Sequence, residues 1–159
     1  MNSTTQKFFR YSLPALLWAA LVLIASSDPF SAEHTGSVLK VFFGWMPPEP
    51  FDLLHFMIRK LAHLTEYGIL GFLFFRAWRG THSGWRMIWL RRAFALCLAV
   101  AAIDEFHQGF VPSRTSSPRD VAIDACGALI AFLIIRLRVR QPSTKVSQQD
   151  EQMASAGDR

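Results

Sequence analysis

RAWRGTHSGWRMIWLRR, residues 76–92, is the stretch on which the fold turns. It holds five arginines, Arg76, Arg79, Arg86, Arg91 and Arg92, and no acid. Trp78, Trp85 and Trp89 stand among them. On its N-terminal side, residues 67–75 carry no charge, and on its C-terminal side residues 93–103 are purely apolar. A basic, tryptophan-rimmed connector between two apolar runs fits a cytoplasmic loop between membrane helices. Lysine and arginine accumulate on the inner side, and tryptophan favours the boundary between hydrocarbon and water.

Reading outward from this loop, the sign of the charge alternates. Residues 11–27 are free of charge and follow Lys7 and Arg10. At 17 residues the run meets the lower limit of about 17–25 for a span. The next segment is acidic, with Asp28, Glu33, Glu49 and Asp52 against Lys40. The arginine loop follows the second run. After the third run, Asp104, Glu105, Asp120 and Asp124 mix with Arg114 and Arg119. The fourth run ends at Arg136, Arg138 and Arg140, with Lys145 beyond. The pattern predicts an all-α integral membrane bundle of four transmembrane helices, N-in and C-in, with spans at about 11–27, 58–78, 87–108 and 120–138. A soluble helical bundle competes, because strict hydropathy accepts only the first run, but it has no reason to alternate its charges. The first run also carries the marks of a signal peptide. A retained anchor is preferred, because the small residues Ala25, Ser26 and Ser27 make a poor cleavage site.

Composition agrees. The chain has 159 residues, 51% of them hydrophobic and 18% charged, and a formal net charge of +5. A soluble domain carries roughly 25% charge. A disordered or collagen-like chain is excluded. Topology and anionic inner-leaflet lipid account for the positive charge, so no nucleic-acid partner is expected. One domain spans residues 1–140, and the polar residues 141–159 are expected to form a disordered cytoplasmic tail. Cys97 and Cys126 lie in apolar runs without ligand spacing and are expected as buried thiols. The segment of residues 28–51, with Pro29, Pro47, Pro48 and Pro50, is expected as an outer loop whose apolar part, residues 38–45, lies on the interface or packs on the bundle.

This topology gathers the polar residues at one level. His63 and Glu66 fall in the outward half of span two, Asp104, Glu105 and Gln108 at the outward end of span three, and Asp120 and Asp124 at the outward start of span four. At 100° per residue, Arg59, His63, Glu66 and Tyr67 share a face, Asp104 and Gln108 share one with Cys97 and Ala101, and Asp120 and Asp124 share one with Gly127 and Ala131. The small residues permit close helix approach. A carboxylate at membrane depth costs about 2.5–3.5 kcal/mol and turns to the bundle interior. Acids brought together handle protons or recruit a cation, so a divalent cation is among the candidate occupants. Residue by residue, caps and ordinary helical pairs are the better explanation of each group. The convergence of three clusters is what favours a site.

The residues then become recognisable. Lys60-Leu61-Ala62-His63-Leu64-Thr65-Glu66-Tyr67, followed by Gly68-Ile69-Leu70-Gly71, resembles the first motif of VanZ-like membrane proteins. Asp104-Glu105-Phe106-His107-Gln108-Gly109-Phe110-Val111-Pro112-Ser113-Arg114, then Ser117, Asp120-Val121, Asp124 and Gly127-Ala128, resembles the second. Ser113 stands where the family usually has Gly, and Asp124 where it often has Asn. The resemblance implies a small polytopic protein of the bacterial cytoplasmic membrane. It also implies a cell-envelope role like that of the family's namesake, which is linked to low-level resistance to the glycopeptide teicoplanin. It supplies no reaction.

Together these readings give a candidate site. His63, Glu66, Asp104 and Glu105 are assigned acid–base or cation work. Gln108, Arg114, Asp120 and Asp124 are assigned binding and orientation. Asp120 is expected to hold His63 or Arg114, and Arg114 to grip an anionic group. The expected partners are membrane lipid and a lipid-linked or cell-wall-related headgroup. No nucleophile stands out, so an enzyme is not assigned. The alternatives are a non-catalytic protein whose polar cluster is structural or a docking surface, and a proton-coupled carrier. The carrier is disfavoured because no acidic relay continues inward.

Overall fold

The computed structural model describes residues 2–25, 32–110 and 117–138, and every regular element among them is a helix. The chain enters through α1 (Ser3–Lys7), a π-helical turn (Phe8–Ser12) and α2 (Leu13–Ala25), which form one unbroken helix. Then come α3 (Ala32–Phe43), α4 (Pro48–Arg79), α5 (Met87–Gln108) and α6 (Pro118–Arg138). Arg114, Arg140 and residues 141–159 lie outside the described residues.

The prolines that suggest a loop before residue 58 are in fact a helix start. Pro48 and Pro50 occupy the first turn of α4, where a backbone N–H has no intrahelical acceptor and proline costs nothing. Glu49 complements the positive end of the helix dipole there. Thus α4 begins at Pro48 and runs for 32 residues. It stops at Gly80, whose φ of 55° suits glycine best and whose N–H reaches the Arg76 carbonyl at 2.9 Å. The segment expected as an outer loop, lying on the interface or packed on the bundle, contains α3. Gly36 of α3 sits against the His55 ring, while Val38, Val41 and Phe42 stay exposed, as does Trp45 beyond the helix end.

α4 is the central rod, and its partners fix the direction of every other helix. Lys60 meets Asp120, His63 meets Asp124, and Gly71 meets Ala128, so α4 and α6 run parallel. Phe75 packs on Trp85 and Trp89 at centroid distances of 5.2 and 6.4 Å, while Asp104 at the far end of α5 lies near His63, so α5 is antiparallel. The Trp18 indole N–H donates to the Glu66 carbonyl at 3.0 Å, and the Arg76 guanidinium donates to the Arg10 carbonyl at 3.0 Å. Hence α2 is antiparallel as well.

The core joins Tyr67, Leu70, Phe74 and Phe75 of α4 to Ala93, Cys97 and Ala101 of α5 and to Ala128, Phe132 and Ile135 of α6. From α2, Ala15 and Val22 are buried. The α4–α6 crossing is closer than side chains permit. A Cβ on Gly127 would run into the Leu64 carbonyl oxygen, and one on Gly71 would come within 3.2 Å of the Ala128 Cα. Glycine is required there because backbone meets backbone. Cys97 is buried as expected, but Cys126 is exposed. One residue before Gly127, it points away from the seam, so the expectation of two buried thiols is corrected.

Among the described residues, one helix, Ser3–Ala25, is long and apolar enough to cross a membrane by length and composition. The other long helices fail that test because each carries several charged residues.

Candidate functional site

The polar residues of three helices meet at one end of the bundle. His63 points from α4 into the angle between α5 and α6, because Tyr67 and Leu70 below it on the same face are core residues. Its Nδ1 lies 3.2 Å from Asp124 Oδ1. Asp124 is 0% exposed, since Gly127 and Ala128 press this stretch of α6 against α4. From α5, Asp104 is also 0% exposed, and the side-chain amide of Gln108, one turn on, donates to its Oδ2 at 3.0 Å. One ligand atom each from His63, Asp104 and Asp124 lie within 4.8 Å of one another.

Around this centre the remaining groups join the helices. The Glu105 carboxylate accepts the Ser117 backbone N–H at 2.6 Å, satisfying a donor just ahead of α6. Lys60 and Asp120 pair at the partly exposed rim. The Tyr67 hydroxyl and the Asp124 Oδ2 are both buried without a hydrogen-bond partner. Buried polar atoms are rarely left so.

Several sequence expectations change in detail. Asp120 is held by Lys60 rather than by His63, and it is Asp124 that reaches the imidazole. Glu66 is half-buried, and its main-chain carbonyl serves Trp18, while its carboxylate is outside the three-residue group. Glu105 is buried but is engaged at the start of α6. The grip assigned to Arg114 falls outside the described residues. Sequence reasoning missed Lys60 as a rim partner. Its signal was its place one turn before His63, on the side of α4 that faces Asp120 across the parallel α4–α6 pair.

A second concavity lies on the reverse side of the α4–α6 seam. It is a groove of about 520 Å³ walled by Leu64, Gly68, Phe72, Gly127, Ile130 and Ile134, with Arg79 and Arg138 at its far end. No α5 residue lines it, so it is separate from the polar cluster.

What the cluster can do chemically follows from its donors. One imidazole and buried carboxylates can bind a cation, hold a proton between imidazole and carboxylate, or accept hydrogen bonds from a hydroxylated ligand.

A family model described as VanZ/LLP1 matches residues 11–139, which takes in α2 as well as both polar motifs. No curated protein and no solved structure matches the chain.

Proposed function

The chain belongs to the VanZ/LLP1 family, and on that premise we propose that it is a four-span protein of the bacterial cytoplasmic membrane, N-in and C-in, whose polar cluster faces the outer leaflet and binds a lipid-linked or cell-wall-related headgroup. The observation that carries this reading is the polarity of the bundle. His63, Asp104, Asp120 and Asp124 gather at one end, and Arg76, Arg79, Arg86, Arg92, Arg136 and Arg138 at the other. Between the ends, Leu16, Leu21, Phe72, Leu96, Leu133 and Ile134 are exposed. An apolar belt of that extent asks for lipid or a partner. The exposed Val41, Phe42 and Trp45 suit an interfacial segment at the acidic end.

Topology is tested first. A reporter active only in the cytoplasm should work when fused after residue 82 and fail after residue 45, while an exported reporter gives the reverse. The opposite result, or a chain recovered without membranes, overturns the reading. Headgroup binding is tested with the full chain in nanodiscs containing an undecaprenyl-phosphate-type lipid. Native mass spectrometry should find that lipid retained by the wild type and lost in His63→Ala at equal protein level.

A structural reading of part of the cluster is also favoured. Glu105 on the Ser117 N–H, and Lys60 on Asp120, tie helices together and need no ligand. Under that reading Glu105→Gln and Lys60→Met leave lipid retention unchanged and lower thermal stability alone.

A further inference from the structure

The geometry points to a divalent-cation site formed by His63, Asp104 and Asp124, with Gln108 holding one ligand in place. It deepens the reading of the outer site, supplying the positive charge by which an anionic headgroup is gripped.

The spacing is that of ligands on one ion. A donor atom from each of the three residues lies within 4.8 Å of the other two. The His63 Nδ1–Asp124 Oδ1 separation is 3.2 Å. Two donors about 2.0–2.1 Å from a tetrahedral ion stand about 3.3 Å apart, so the same pair is placed for a hydrogen bond or for an ion between them. An independent observation supports the ion: Asp124 Oδ2 is buried and has no hydrogen-bond partner. A plain histidine–aspartate pair leaves that oxygen unexplained. A cation takes it as a second point of attachment or draws it into the coordination sphere.

The surroundings complete the pattern. The Gln108 amide fixes Asp104 through Oδ2 at 3.0 Å, the kind of outer contact that orients a metal-binding carboxylate. Tyr67 stands one turn below His63 with its buried hydroxyl unpartnered, and a water on the ion would supply its acceptor. The rim pair of Lys60 and Asp120 is only partly exposed. One imidazole nitrogen with two carboxylate oxygens suits Zn²⁺ or Mn²⁺ better than Ca²⁺, which takes six to eight oxygens. Three protein ligands leave a position open, as in sites that engage a substrate or ligand.

The test uses the full chain in detergent, stripped with a chelator and titrated with Zn²⁺ by calorimetry and elemental analysis. Wild type should take up one ion per chain. Asp124→Asn and Asp104→Asn should each weaken binding at least tenfold, and Gln108→Leu by about tenfold, the usual effect of an outer-shell change. Asp52→Asn, far from the cluster in α4, should bind as wild type. Co²⁺ loaded in place of Zn²⁺ should give visible d–d absorption that changes in His63→Ala. Should that variant fail to fold, nitrogen couplings in the magnetic resonance of Mn²⁺-loaded wild type report the imidazole directly. A helical wild type that takes up no Zn²⁺, equal uptake by the aspartate variants, or no nitrogen coupling overturns the site. The two readings fail separately. Lipid retained through His63 in metal-free protein refutes the ion and leaves the headgroup reading. Stoichiometric Zn²⁺ with lipid retention indifferent to His63 refutes the headgroup reading and leaves the ion.

Discussion

The two ends of the bundle treat charge in opposite ways. At one end Asp104, Glu105 and Asp124 turn inward, are at most 5% exposed, and share their hydrogen bonds with groups on the same or a neighbouring helix. At the other end the arginines turn outward and lie over aromatic rings. Arg92 sits 4.9 Å from the Trp78 ring centre, Arg76 5.5 Å from Tyr11, Arg136 5.6 Å from Trp85, and Arg86 5.7 Å from Trp89. A guanidinium over a ring keeps its charge near water or lipid phosphate while covering apolar surface. A buried carboxylate has no such outlet and depends on what is built around it. One end thus spreads its charge over the surface, and the other encloses it among packed helices.

Four substitutions test that contrast, in order of expected effect. Gly127→Leu has the largest effect, because its side chain must force α6 away from the Leu64 carbonyl. It should destabilise the bundle by about 3 kcal/mol, the upper range for overpacking, and lower the thermal midpoint in detergent and the yield of folded protein. Glu105→Gln comes next. The amide oxygen still accepts from the Ser117 N–H but without the charge, at a cost of about 1.5 kcal/mol, and hydrogen exchange should rise first at the start of α6. Lys60→Met removes a partly exposed ion pair and should cost under about 1 kcal/mol, with little dependence on salt beyond that lost at the rim. Arg92→Ala should cost about 0.5–1 kcal/mol in detergent, and its clearer readout is a weaker preference for anionic over zwitterionic vesicles. If Arg92→Ala destabilises the protein more than Glu105→Gln, the contrast between the ends is wrong.

Much of this was legible beforehand, and the limits have physical causes. Helix α5 occupies the range 87–108 expected from its apolar run and its acidic end. The 3.6-residue period put His63, Asp104 and Asp124 on inward faces, because period and burial are local properties. The N-terminal third of α4 was hidden by Pro47, Pro48 and Pro50, which break a helix in its middle but not in its first turn. Partner choice was not legible. Whether Asp120 or Asp124 reaches His63 depends on the register between two parallel helices. That register is set by Gly71 and Gly127 through backbone contact between the two helices, which a single helix's period does not encode. The exposure of Cys126 has the same origin, since a helix with a glycine seam must turn its neighbouring residues outward.

Asp124 and Gly127 are three residues apart on a rigid stretch of α6, with the polar chamber on one flank of the crossing and the greasy furrow on the other. At that point the backbone of α6 lies directly against the Leu64 carbonyl of α4, with no side chain between. A side chain added at Gly127 would therefore part the helices next to the Asp124–His63 contact as well as at the furrow.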